Sequence, residues 1–309
     1  MINSTTSKIL TLFFFLQSVC FNMYGQSSKI ELKYLGAAGW IINQDTLVVL
    51  LDPYLSRIKL DPTQIDPNDK RKTYVRSDYF ESDTVVINRE IKKADYIFIH
   101  HSHFDHLSDV PYIAKKTGAK IIGTETTCNI LRAYGIKDDQ LYEVKGGEDY
   151  DFKDLSVKVI PSIHSALRFK HYFDSRVYTE VPTAPLKIAD FVEGGSFMYL
   201  IRLKNHVLLT MGGMNYIERE INGLKPDILL AGVNFSRNEI YKYTERLLTA
   251  TSYPKIVIPT HWDDFRVPYD VSQKKSVETK VTPFIEEVKA TKSKSQVIVP
   301  QHLKTIVID

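Results

Sequence analysis

The chain contains the run His100-His101-Ser102-His103-Phe104-Asp105-His106, whose informative part is His-x-His-x-Asp-His. Imidazole and carboxylate are ligands for Zn²⁺, Fe or Mn²⁺. In an extended or turning segment, side chains two apart point the same way. His101 and His103 can therefore grip one cation from one side. Asp105 and His106, past the turn, can present ligands to a second position nearby. A cation held with one open coordination position lowers the pKa of bound water toward about 7 and polarises a carbonyl or phosphoryl oxygen. The chemistry that this run points to is cation binding by imidazole and carboxylate. A cluster of surface His, or a purely structural metal clip, is the bland alternative.

Composition narrows the metal chemistry further. The 309 residues include nine His and only two Cys. Two Cys cannot build a disulfide framework or a Cys₄ zinc site, so His and carboxylates must do any metal binding. With 43% hydrophobic and 25% charged residues the chain is ordinary for a globular protein, which excludes collagen-like and disordered classes. The net charge of +3 provides no strong field for nucleic acid, and no basic stripe with interleaved aromatics is present. Nucleic acid is excluded as a partner on that ground. A small-molecule or lipid-like substrate, including an anionic one, fits better.

The His run must be held by a strand, and Ala94–Ile99 reads as a buried one leading straight into it. Upstream, Ile30–Leu35 alternates and runs into the Gly36–Gly39 turn. Trp40–Asn43 and Thr46–Leu51 read as a hairpin ended by Asp52-Pro53. Downstream, strands are expected at 120–122, 157–160, 197–203, 206–209, 227–231, 255–259, 296–299 and 305–308. Helices are expected from a Ser108 cap through Lys116, and near 126–134, 239–250 and 276–291. Hairpins mixed with strand–helix units occur twice over, which fits a layered α/β architecture. Two long irregular stretches, 54–85 and 166–195, read as insertions. The charge run Asp69-Lys70-Arg71-Lys72 reads as a solvated loop. Lengths of this kind in compact folds belong to lids, binding loops or disorder.

Residues 1–25 carry one charge, Lys8, followed by an apolar stretch, and read as a secretory signal peptide cleaved after Gly25. A lipoprotein anchored at Cys20 is the alternative. The expected organisation is a leader over 1–25 and one domain over 26–309, exported to the periplasm or secreted. No stretch after residue 25 is apolar enough to span a bilayer.

With these residues in view, the sequence resembles the metallo-β-lactamase fold superfamily, whose signature is this His-x-His-x-Asp-His loop after a buried strand. The Gly36–Gly39 turn and the Leu51-Asp52-Pro53 strand end resemble the branch of ascorbate-6-phosphate lactonase and N-acyl-phosphatidylethanolamine phospholipase D. The resemblance implies a four-layer αββα sandwich with a one- or two-metal site at one sheet edge. It implies two further ligands at strand ends, His164 after Val157–Pro161 and His261 after Ile256–Thr260. His101, His103 and His164 would hold one metal, and Asp105, His106 and His261 a second. A metal-bound hydroxide would cleave an ester, lactone or phosphodiester bond, and if the second position is empty Asp105 would orient or deprotonate the water instead. Zn²⁺ is the expected metal, in one or two copies, with Fe or Mn as alternatives.

The resemblance has one departure. The family usually places a bridging Asp in the turn after a later hairpin. Gly213 stands there in this chain, within Thr210-Met211-Gly212-Gly213. Asn215, Glu193, Asp263 and Asp264 are the candidates to complete a second site. A catalytically weak or inactive metal- or ligand-binding protein on the same scaffold is therefore the competing function. Of the other residues, His100 either supports the site or simply packs. His171, His206 and His302 read as surface. Cys128 reads as buried, and Ser102 and Ser236 lack a nucleophile context.

Overall fold

The computed structural model describes residues 29–60 and 68–309. The leader and Cys20 anchor expectations lie outside the described residues.

Alternation decides the first strands. In β1 (Ile30–Gly36) Leu32 and Tyr34 are buried while Glu31 is exposed. β1 pairs with β2 (Gly39–Gln44), and β2 with β3 (Leu47–Leu51), both antiparallel. The predicted hairpin turns at Asp45, whose positive φ of 52 an Asp tolerates. A minor parallel pair, β4 (Lys59–Leu60) and β5 (Thr73–Tyr74), sits in the first insertion. The sheet resumes with β6 (Tyr96–Phe98), β7 (Lys120–Gly123) and β8 (Leu141–Glu143), all parallel to β3.

The second half mirrors this plan. β9 (Asp149–Asp151), β10 (Ser156–Ser162), β13 (Ser196–Leu203) and β14 (His206–Met211) pair antiparallel. A small hairpin, β11 (Ala166–Leu167) with β12 (His171–Tyr172), lies in the second insertion. β15 (Ile228–Gly232), β16 (Ile256–Thr260) and β17 (Gln296–Val297) then add parallel to β14. Finally β18 (Thr305–Ile308) returns to pair with β1. Among the described residues, the result is two seven-stranded sheets.

The layers follow from which faces are apolar. Tyr96 and Phe98 of β6 point into the core between the sheets, with Tyr199, Leu209 and Trp40. Ile97 and Ile99 point the other way, against α3 (Val110–Thr117) and α4 (Glu125–Ala133) through Ile113 and Ile130. These helices and α1 (Thr84–Glu90) cover the first sheet. On the second sheet lie the short α5 (Glu218–Ile221), α6 (Tyr243–Ala250) and α8 (Thr282–Ala290). α7 (Lys274–Ser276) runs into α8 through a π turn. The architecture is the expected αββα sandwich.

Several expectations are corrected in detail. Ser108 ends α2 (Phe104–Leu107) instead of starting α3. Asp109 precedes α3, and its carboxylate accepts from Leu55 N, Ser56 N and the Ser56 hydroxyl, tying the first insertion down. The described part of that insertion packs: Tyr54, Leu55, Ile58, Tyr74 and Phe80 are buried in the helix-side core. Arg71 of the charge run is part-exposed and donates to the carbonyls of Arg57 and Arg266. His206 is buried with its Nδ1 2.7 Å from Asp227 Oδ2, because the hairpin turn folds onto the strand leading to β15. His302 stacks on Tyr34 and Trp262.

His302 belongs to a buried network around Asp263. Asp263 Oδ2 accepts from Arg57 Nη1 at 2.8 Å and lies 2.9 Å from His302 Nε2, while Oδ1 accepts from Ala37 N. Burial opposes the charge on Asp263, but His302 and Arg57 hold its carboxyl well below the usual carboxylate range. Removing one partner of a buried pair leaves the other uncompensated, which costs about 3–5 kcal/mol. Arg57→Ala should therefore lower unfolding stability by about that much in urea denaturation, and a loss under about 1 kcal/mol would contradict this role.

Candidate metal centre

Parallel strands put their C-terminal ends on one edge, and the site forms there. β3 ends at Leu51 and delivers Asp52. β6 delivers His100 to His103, β10 leads to His164, and β16 leads to His261. The short α2 turns Asp105 and His106 back toward the same point, both buried.

The structure brings all six sequence-predicted residues together in two trios. Ligand atoms of His101, His103 and His164 lie within 4.8 Å of one another, and so do those of Asp105, His106 and His261. Within the first trio the ring centroids are 4.7–4.8 Å apart. The rings of His101 and His106, at 3.8 Å, join the trios. His261 Nε2 lies 3.3 Å from Asp105 Oδ2.

The donor set fits a metal. His103 Nε2 and His261 Nδ1 are buried with no hydrogen-bond partner. Orphaned buried nitrogens are costly unless something occupies them. Other ring nitrogens are committed in a way that frees their counterparts. His106 Nδ1 lies 2.7 Å from Asp52 Oδ2, and His164 Nδ1 3.1 Å from the Ser165 carbonyl. Each leaves Nε2 available as a lone-pair donor.

Asp52 is the residue whose role the sequence did not disclose. It is fully buried and accepts from His100 N, with His100 Nδ1 and His106 Nδ1 both 2.7 Å from Oδ2. Burial alone would raise its pKa, but the two His rings hold it down at about 2. The signal that could have found it is a strand-end Asp-Pro together with another strand that ends in His. His100 supports the site in the sense expected, its Nε2 reaching Thr210 Oγ1 at 2.8 Å.

The turn after β14 carries Gly212 and Gly213, neither of which offers a carboxylate to the trios. Gly212, not Gly213, lines the cavity holding the trios. A Cβ at Gly212 would fall 2.2 Å from the His100 Cβ, so no side chain fits there. At Gly213 a Cβ would approach Ser165 Oγ at 2.9 Å. The proposed substitutes do not supply a bridging carboxylate. Asp263 is spent in the buried network, Asp264 accepts from Arg266, and Glu193 accepts from the Ser196 hydroxyl. Asn215 donates to the His164 carbonyl at the edge. Among the described residues lining the cavity, Asp105 is the one carboxylate.

The cavity holds about 230 Å³. Phe104, Phe173, Phe191, Phe265, Leu167 and Met214 form apolar walls, while Arg76, Asn234 and Ser236 add polar groups that the sequence did not single out for the site. His171 is exposed and stands apart, Cys128 is buried as expected, and Ser102 is buried against Thr127.

Comparison with known proteins agrees with this geometry. A family profile described as "Beta-lactamase superfamily domain" matches residues 31–261. The chain belongs to that superfamily. A UPF0173 metal-dependent hydrolase of Carboxydothermus hydrogenoformans is 27% identical over 140 residues, covering 44% of this chain and 49% of that protein. The match thus spans about half the length of this curated relative. Igni18, a metallo hydrolase of Ignicoccus hospitalis, superposes with a TM-score of 0.57 at 17% identity, over 91% of this chain and 99% of that one. The metallo-beta-lactamase fold protein YhfI of Bacillus subtilis gives 0.54 at 10% identity, over 90% and 99%. At these identities the structures show a shared fold.

Two predictions follow from the electrostatics. A His binds metal only as neutral imidazole. Burial, with His164 nearby, lowers His103 to about 3, and burial, with His106 nearby, lowers His164 to about 4. His101 is lowered by burial and by His106. These rings stay neutral as pH falls from 7, so their metal should persist to about pH 4. Burial lowers His106, but Asp52 and Asp105 outweigh it and raise the ring above its ordinary value. His106 is therefore protonated at higher pH, and the second trio should empty first. Elemental analysis after dialysis at stepped pH should show two separate losses, and a single loss near neutrality would contradict the assignment. Removing a partner that orients a ligating His costs about 10–100-fold in metal affinity. Asp52→Ala should weaken the second trio by that factor in a competitive chelator titration, leaving the first trio nearly unchanged.

Proposed function

We propose that the protein is an exported metal-dependent hydrolase, with zinc in the site, that cleaves an ester, lactone or phosphodiester bond. The observation that carries this reading is the pair of His/Asp trios opening into one aromatic-walled cavity. His101, His103 and His164 would hold the catalytic metal, and Asp105, His106 and His261 a second. Bound zinc supplies a Lewis acid for a carbonyl or phosphoryl oxygen and lowers the pKa of water toward about 7. Asp105 keeps its charge: burial opposes it, but His106 and His261 hold the carboxyl well below its usual range. With the second position empty it would instead be a fixed hydrogen-bond acceptor that orients the attacking water, and it is a weak base. The Phe-lined walls exclude bulk water and favour an apolar body on the substrate. Arg76, packed 4.7 Å over the Phe173 ring, supplies a positive charge at the rim for an anionic group. The likeness to an N-acyl-phosphatidylethanolamine phospholipase and a phosphate-bearing lactonase supports that substrate class.

The absence of a bridging carboxylate at Gly212 and Gly213 favours a second reading, a metal-binding protein with little turnover. One experiment separates the two. Purified protein is measured for metal identity and stoichiometry and assayed on a panel of phosphodiesters, lactones and lipid esters. The expected result is zinc with hydrolysis of at least one class. Substituting Ala at both His101 and His103 should abolish the first metal and the activity together. Metal without turnover on every class would favour the binder, and full metal retention in the double variant would remove the site assignment.

A further inference from the structure

Around the mouth of the metal cavity lies a concentration of exposed apolar side chains that the chemistry does not use. Phe169 is 82% exposed, Tyr241 74% and Phe235 57%, with Ile163, Tyr172 and Phe173 also exposed. They come from two segments, 163–173 and 235–241. The segments meet where Lys170 N donates to Glu239 Oε2, and they jointly line a cavity of about 250 Å³ beside the site. They also share the metal cavity, through Leu167 and Phe173 on one side and Ser236 on the other. Clustered exposed apolar surface of this kind marks an interaction site.

The backbone works to display it. Phe169 and Lys170 both have positive φ, 58 and 54, in a chain segment without glycine. Consecutive bulky residues in that region are strained, and such strain persists where it serves a function.

Cations are set among the rings. Lys170 follows Phe169 in the chain. The Arg76 guanidinium lies over Phe173, Lys242 Nζ 5.9 Å from the Tyr241 ring and Lys280 Nζ 5.3 Å from the Phe235 ring. The facing acids are Glu239 and Glu245, and Glu245 is paired with Lys242. Aromatic rings interleaved with Lys and Arg suit an interface that is apolar below and anionic above. A second copy docked face to face would bring two copies of the same cation-bearing patch together.

We propose that this rim is the face by which the protein docks on an anionic lipid bilayer, with the cavity mouth turned toward the surface. This does not depend on the hydrolytic reading, since it concerns docking alone. The test is hydrogen–deuterium exchange on the full chain with vesicles of phosphatidylglycerol and phosphatidylcholine, against phosphatidylcholine alone. Slowed exchange in 163–173 and 235–241 is expected with the anionic vesicles only. Phe169→Ser combined with Tyr241→Ser should remove that protection and weaken vesicle co-sedimentation about tenfold or more. Both residues are exposed, so an unchanged melting curve and metal content certify the fold. Three outcomes overturn the proposal: no protection of these segments, equal protection on uncharged vesicles, or protection that appears without lipid as protein concentration rises.

Discussion

Two imidazoles share one buried carboxylate at Asp52, and the geometry of the centre depends on that sharing. Asp52 sits at the end of β3, His100 at the end of β6, and His106 in α2. An isolated carboxylate buried this deeply would be driven to neutralise. Here the two rings and the His100 backbone N–H keep it charged, and in return it fixes where both rings point. His106 is thereby locked with Nε2 toward the centre, beside His101. A strand, its parallel neighbour and the helix that follows are pinned at one atom.

A second buried carboxylate does the same for the opposite wall. His261 adopts a positive φ of 56 at the end of β16, and its N–H donates to the Ala37 carbonyl. Ala37 N in turn donates to Asp263 Oδ1, closing a short ring from the ligand through the β1–β2 turn and back. Arg57 and His302 complete Asp263 from the first insertion and from the segment before β18. The strained backbone at His261 is tolerable because three chain segments over-determine it. One anchor serves each sheet, and the trios lie where the sheets' ends meet.

Much of this was legible in residue order. The His-x-His-x-Asp-His run is local, so its spacing alone grouped four ligands. His164 and His261 were legible only through strand ends plus resemblance, since nothing local marks them. The alternation of β1, the hairpin reading of β2 and β3 and the buried run at β6 located the strands to within a few residues. What stayed hidden is what depends on long-range pairing. Asp52 and Asp263 are ordinary strand-end and loop acids until the fold brings His100, His106, Arg57 and His302 to them. His206 and His302 read as surface because burial by a partner 21 or 39 residues away leaves no local periodicity. The first insertion read as a lid, a binding loop or disorder because its apolar residues are spaced irregularly, yet those described pack under α1 and α3.

The glycine at 212 follows from the same anchor. His100 needs room beneath the β14 end to reach both Asp52 and Thr210, and its Cβ occupies the space that any side chain at 212 would require. A side chain at 212 and this placement of His100 are therefore mutually exclusive in this backbone, whereas a Cβ at 213 would meet the Ser165 hydroxyl. The negative charge is displaced instead of lost. Asp52 lies behind His106 and acts through the ring, raising its basicity as a ligand, while Asp105 remains the single acid facing the cavity. Charge that is relayed through an imidazole compensates a cation less than charge in direct contact, because distance weakens it. The first trio, all imidazole and held neutral by burial, needs no such compensation to bind one dication. The second trio does, which makes the two positions chemically unequal by construction.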